Sequence, residues 1–83
     1  MKYIANINVM PLKDLLDPQG KAVNSSLHNL GLVHIEDVRI GKHIVLHIDA
    51  NSVEEAGEIA NKACHKLLAN QVMESYEYTV NMV

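Results

Sequence analysis

Apolar and polar residues alternate from residue 3 to residue 9, with Tyr3, Ala5, Ile7 and Val9 set against Ile4, Asn6 and Asn8. A period of two predicts a strand buried mainly on one face, and Pro11 ends it. The connection that follows carries Leu12, Leu15 and Leu16. It is more apolar than a solvated loop needs, so it is expected to pack under the sheet edge or against a partner. Asp17-Pro18 predicts a helix start, because the carboxylate accepts orphan first-turn amides and proline forfeits nothing at the first helical position. Val23, Leu27 and Leu30, flanked by Ala22 and Ser26, form one stripe. Gly31 supplies a left-handed C-terminal cap, so the helix runs from Pro18 to Leu30.

Val33 to Ile40 is expected to be a second strand. Its alternation changes phase, as a bulge near Glu36 and Asp37 would cause. Gly41-Lys42 predicts a hairpin turn, and Ile44, Leu46 and Ile48 the inward row of a third strand. Ser52-Val-Glu-Glu55 is a capping box. It opens a helix with Ala56, Ile59, Ala60, Ala63, Cys64 and Leu67 on one side, closed by Asn70. Tyr76, Tyr78, Val80 and Met82 alternate in a final strand. The order β-α-β-β-α-β predicts a ferredoxin-like α+β fold, an antiparallel sheet with two helices on one face, as a single domain over residues 1–83. The opposite face would mix Ile4, Met10 and Val45 with Asn6, Asn8, His43 and His47. Such a face suits either a sheet-mediated oligomer or water.

Composition sharpens this picture. The chain has 83 residues, 48% of them hydrophobic and 20% charged, and a net charge of −3. These values fit one ordered domain. No apolar run is long enough for a transmembrane helix, and the asparagine-broken N-terminal stretch does not read as a signal peptide, so a cytoplasmic location without membrane association is expected. The single cysteine, Cys64, excludes an internal disulfide and a cysteine-rich zinc site. Area scaling gives roughly 4,900 Å² folded against roughly 13,300 Å² unfolded. Burial then contributes on the order of 125 kcal/mol, and ordering the chain costs about the same. A sum near zero points to oligomerisation.

Candidate chemistry is sparse. His43 and His47 share a strand face, but extended chain separates them by about 13 Å, too far for one zinc ion. Arg39-Ile-Gly-Lys-His43 resembles the end of a phosphate loop, yet Glu36 stands where glycine is required and His43 where Ser or Thr is required. Arg39 and Lys42 then read either as wet hairpin-tip residues or as a charged docking contact to a partner or an anionic ligand. Asp17 and Lys21 read as a cap and an i,i+4 ion pair. Gly20 in a first helical turn is explained by close approach of another backbone or by tolerance alone. Ser25 and Ser26 lack a nucleophile elbow. The strand around Val45 has no aromatic for stacking bases and the net charge is negative, so nucleic acid is not an expected partner. The residues describe an interaction or regulatory module with no catalytic set.

Two segments carry a resemblance. Leu16-Asp-Pro-Gln-Gly-Lys-Ala-Val23 after the first strand, and Glu36-Asp-Val-Arg-Ile-Gly-Lys42 further on, closely resemble the PurS family, the small subunit of phosphoribosylformylglycinamidine synthase. Lys66-Leu-Leu-Ala-Asn70 matches as well, so the resemblance spans essentially the whole chain. Gln71 and His43 depart from the pattern, where proline and an aromatic are usual. The resemblance implies a complex in purine biosynthesis. It converts formylglycinamide ribonucleotide, glutamine and ATP into formylglycinamidine ribonucleotide, glutamate, ADP and phosphate. A glutamine amidotransferase subunit releases ammonia, and a large synthetase subunit consumes it with ATP and magnesium. The small subunit is implied to carry no cofactor and no catalytic residue, to form homodimers or higher homo-oligomers, and to bridge the other two.

Asp17, Gln19, Gly20, Lys21, Arg39, Gly41 and Lys42 are the expected docking residues. They cluster in the family-like motifs without a complete explanation from the fold. Two other classes stay open: a small-molecule-sensing domain of the same topology, and a structural homo-oligomer without a metabolic role.

Overall fold

In the computed structural model, which describes residues 1–83, the first alternating run becomes strand β1, Lys2–Pro11. Helix α1 follows at Pro18–Asn29, then strand β2 at Lys42–Asp49 and helix α2 at Val53–Ala63. A π-helical turn occupies Cys64–Leu68, and strand β3 spans Glu74–Met82. The sheet is antiparallel with β1 in the centre, in the order β2-β1-β3. Tyr3 pairs with Ile48 and Met82, and Val9 with Lys42 and Tyr76. The inward parity expected of Tyr3, Ala5, Ile7 and Val9 is therefore continued by Ile48 on one side and by Tyr76 and Tyr78 on the other.

Helix α2 covers that face. Ser52 accepts the Glu55 amide at 3.1 Å, the expected N-cap bond. Ala56 and Ala60 pack on Tyr3, Ala5, Ile48 and Ala50. Cys64 and Ala69 pack on Ile7 and Val9. Alanines on the helix let its backbone lie close to the sheet, and the larger strand residues fill the space between. The π turn then changes the phase. Ala69 N–H bonds the Cys64 carbonyl, five residues back, at 3.0 Å. The wider turn swings Leu67 out to 83% exposure while Leu68 packs against the core. Cys64 is buried as expected, and burial pushes its thiol pKa up.

The N-terminal helix behaves differently. Asp17 caps it, Pro18 opens it, and Gly31 follows it at φ +91°, all as the sequence predicts. Yet α1 makes no extensive contact with any strand of the sheet, and Gly20 is its only buried residue. The expected placement of both helices on one face is thus corrected for α1. The expected second strand is corrected too. Leu30-Gly31 and Val33-His34 make turns, and residues 35–41 run on without turn, bend or strand partner, leaving three strands in the sheet.

The hairpin predicted at Gly41-Lys42 is absent for a local reason. A two-residue hairpin of the favoured type needs positive φ at its central positions, and Gly31 is the only residue in the chain with that geometry. Gly41 is required for another purpose: a Cβ there would collide with the Val9 carbonyl oxygen and the Met10 side chain. The chain therefore passes close over the end of β1 as it enters β2.

The resulting molecule is long and thin, 51 × 27 × 14 Å, with a radius of gyration of 16.4 Å. A compact chain of this length has a radius near 12 Å. The accessible surface is 6029 Å², against roughly 4,900 Å² for a compact monomer of this mass.

Candidate functional site

The segment from Leu12 to Gly41 forms an arm beyond the end of β1, and its base gathers most of the predicted docking residues. Asp17 is the hinge pin. Its Oδ1 accepts from Gly20 N–H at 3.0 Å, and its Oδ2 accepts from Ile40 N–H at 3.0 Å. One carboxylate thus caps α1 and ties the helix start to the segment leading into β2. The Gly20 amide bond, then the Ile40 amide bond, with Arg39 close by, hold the Asp17 carboxyl below its ordinary value of 3.8. Gly20 has the close-approach reason: a Cβ there would run into the Val38 carbonyl oxygen. The Arg39 guanidinium donates to the Pro11 carbonyl. Asp17, Gly20, Arg39 and Gly41 accordingly have tasks inside this chain, locking α1, residues 38–41 and the end of β1 together.

Gln19 and Lys21 lie exposed on the first turns of α1. Lys21 lines a surface hollow of about 340 Å³ with Lys13, Arg39, Asp17, Asp37 and Asn24, beside Leu15 and Leu16. Sequence reasoning passed over Lys13 and Asn24; the apolar Leu15-Leu16 pair was the available signal. The Asn24 carbonyl oxygen is shut off from solvent and has no donor. Leu16 is 74% exposed at the rim. Lys42 stands apart from this hollow, 3.8 Å from the Glu74 carboxylate and 3.5 Å from the Leu68 carbonyl, so it joins β2 to the π turn and β3.

The histidines are dispersed. His43 bonds the Asn8 side chain at 2.7 Å, and Asn8 reaches Glu77 at 3.4 Å, in a polar row across the outer sheet face. His28 meets the Ile35 carbonyl at 2.7 Å and closes the far end of the arm. No three His, Cys, Asp or Glu side chains converge on a metal position. No helix is long and apolar enough to cross a membrane.

These features define an α+β interaction protein of ferredoxin-like class, with an open charged hollow and a large apolar surface to cover. The family described as PurS, phosphoribosylformylglycinamidine (FGAM) synthase, matches residues 4–82. The chain belongs to that family. It is 40% identical over 81 residues to the phosphoribosylformylglycinamidine synthase subunit PurS of Bacillus subtilis, covering 98% of this chain and 95% of that one. A solved structure of B. subtilis PurS matches with a TM-score of 0.84 at 38% identity, over 95% of this chain and 98% of the other. A chain from the structure of PurLQS from Thermotoga maritima matches with a TM-score of 0.89 at 32% identity, over 98% of this chain and 99% of the other. Coverage of this extent includes the arm. The projecting α1 is thus part of the shape shared with solved relatives.

Proposed function

We propose that this chain works as the non-catalytic small subunit of a phosphoribosylformylglycinamidine synthase in purine biosynthesis. It bridges a glutamine amidotransferase subunit and an ATP-dependent synthetase subunit as a homo-oligomer in the cytoplasm. The observation that carries this reading is the match, over nearly the full chain, to a protein of the T. maritima PurLQS structure. Ammonia released at one site and used at another is lost to water unless the two catalytic subunits keep one relative orientation. A scaffold whose connections are pinned by Asp17 and Arg39 can hold that orientation. ATP and magnesium belong to the large subunit in this scheme. The hollow lined by Lys13, Lys21 and Arg39 is the docking point for an acidic segment of a catalytic subunit.

The test is reconstitution of the synthase from its large and amidotransferase subunits, with and without this chain. Glutamine-driven synthesis is expected only when the chain is added, while synthesis from free ammonia persists without it. Equal glutamine-driven turnover in both mixtures would overturn the bridging role. At the hollow, Lys21→Glu should weaken association with a catalytic subunit about tenfold or more and flatten its dependence on salt. An unchanged affinity would remove the hollow from the docking surface.

A further inference from the structure

We infer that the outer face of the sheet, at the end of β1, carries a binding site for a free α-amino acid with a polar, uncharged side chain. The inference concerns the single chain and does not rest on the subunit reading.

A hollow of about 270 Å³ opens there, lined by Lys13 and Arg39 at the β1 end and by Asn8, Ser75 and Glu77 along the strands. The sheet register sets their order. Met10 pairs with Ser75 and Asn8 with Glu77, so the carboxylate stands two residues, about 7 Å, further from the β1 end than Ser75. Arg39 is fixed by its bond to the Pro11 carbonyl, which occupies only part of its fork of N–H donors. All three ion pairs of the chain lie elsewhere, which leaves the Lys13 ammonium uncommitted. Glu77 takes the Asn8 amide on Oε1 at 3.4 Å and keeps Oε2 free. Asn8 is oriented in turn by His43, whose Nδ1 meets its carbonyl oxygen at 2.7 Å. That oxygen only accepts, so the imidazole donates.

Two cations at one end of a small polar hollow and one carboxylate at the other match a zwitterion. The α-carboxylate meets the Arg39 fork and Lys13, and the α-ammonium meets Glu77. A phosphate dianion would face Glu77 as a like charge. A divalent cation would find a single carboxylate and two repelling cations. The volume lies below that of drug-sized ligand pockets and suits one amino acid rather than a peptide. Continuity of the groove directs the side chain. A second hollow of about 200 Å³ shares Asn8 and Glu77 and continues to Asn6 and Thr79. The carboxamides and hydroxyl there offer donors and acceptors to a carboxamide or hydroxyl on the ligand.

The experiment titrates the ¹⁵N-labelled full chain with L-glutamine and follows its amide resonances. Saturable shifts are expected at Asn8, Ser75 and Glu77, with a dissociation constant on the order of 1 mM for so small a ligand in an open site. No saturation far above that concentration would overturn the site. Glutaramate, which is glutamine without its α-amino group, and L-leucine should each bind about tenfold more weakly or worse. Equal binding of glutaramate would overturn the zwitterion assignment, and equal binding of leucine the choice of a polar side chain. Tighter binding of inorganic phosphate would overturn both, since the hollow would then be a simple anion site. Glu77→Gln keeps an acceptor for Asn8 and removes the charge. It should weaken glutamine binding about tenfold and leave glutaramate binding unchanged. A variant that binds glutamine as the parent does would remove Glu77 from the site. Lys13→Ala changes an exposed side chain that ties nothing in the fold together, and it should weaken both ligands alike. Reconstitution judges the docking role of Lys13 separately.

Discussion

Asp17 shows how one side chain can serve as cap and latch together. Its carboxylate pKa is lowered first by the Gly20 amide and next by the Ile40 amide, with Arg39 adding to them. A depressed carboxylate stabilises the folded chain above its unfolded value, and that contribution is lost as pH falls through the folded value. Asp17→Asn should therefore melt at lower temperature than the parent at neutral pH. The gap should close as pH drops below 3.8. A gap that persists in acid would show that the carboxylate charge is not what holds the latch. Gly20 is governed by the same spot. Gly20→Leu places a side chain against the Val38 carbonyl, so it should pry α1 from the arm base. Faster amide exchange at Ile40 is the direct reading.

At the scale of elements, the π turn decides which leucine counts. A regular helix would put Leu67 with Cys64 on the buried side. The extra residue in the turn turns Leu67 to solvent and Leu68 inward. Leu67→Ala should change stability by less than about 0.5 kcal/mol, whereas Leu68→Ala should cost about 1–2 kcal/mol, as expected for a half-buried site. Urea denaturation of both variants distinguishes them, and equal effects would mean the turn is α-helical in solution. The helix start is an independent check: Ser52→Ala should cost about 1 kcal/mol through the lost bond to the Glu55 amide.

For the whole molecule, shape carries the argument. A chain with 6029 Å² of surface and a helix that makes little contact with the sheet gains less from burial than a compact monomer of its mass. Its melting temperature should therefore rise with protein concentration, as association adds to the stability of the folded state. A melting temperature constant over a hundredfold dilution would show the single chain to be self-sufficient.

The sequence determined the parts of this protein that depend on neighbours along the chain. The parity of Tyr3, Ala5, Ile7 and Val9, the Asp17-Pro18 and Ser52 caps, and the Gly31 stop are short-range requirements of hydrogen bonding and backbone sterics. All were readable, and the family followed from the two segments around Asp17 and Arg39. Only the tertiary structure decided where α1 goes. A helix has the same hydrophobic pattern whether it packs on its own sheet or projects from it. Gly41 reads equally as a turn residue or as a point of close approach. What settled it was the Val9 carbonyl lying against Gly41 and Val38 against Gly20, contacts between residues far apart in the chain. The same holds for Leu68, whose burial depends on one added residue in a helical turn, a shift that the apolar run Leu67-Leu68 leaves undetermined.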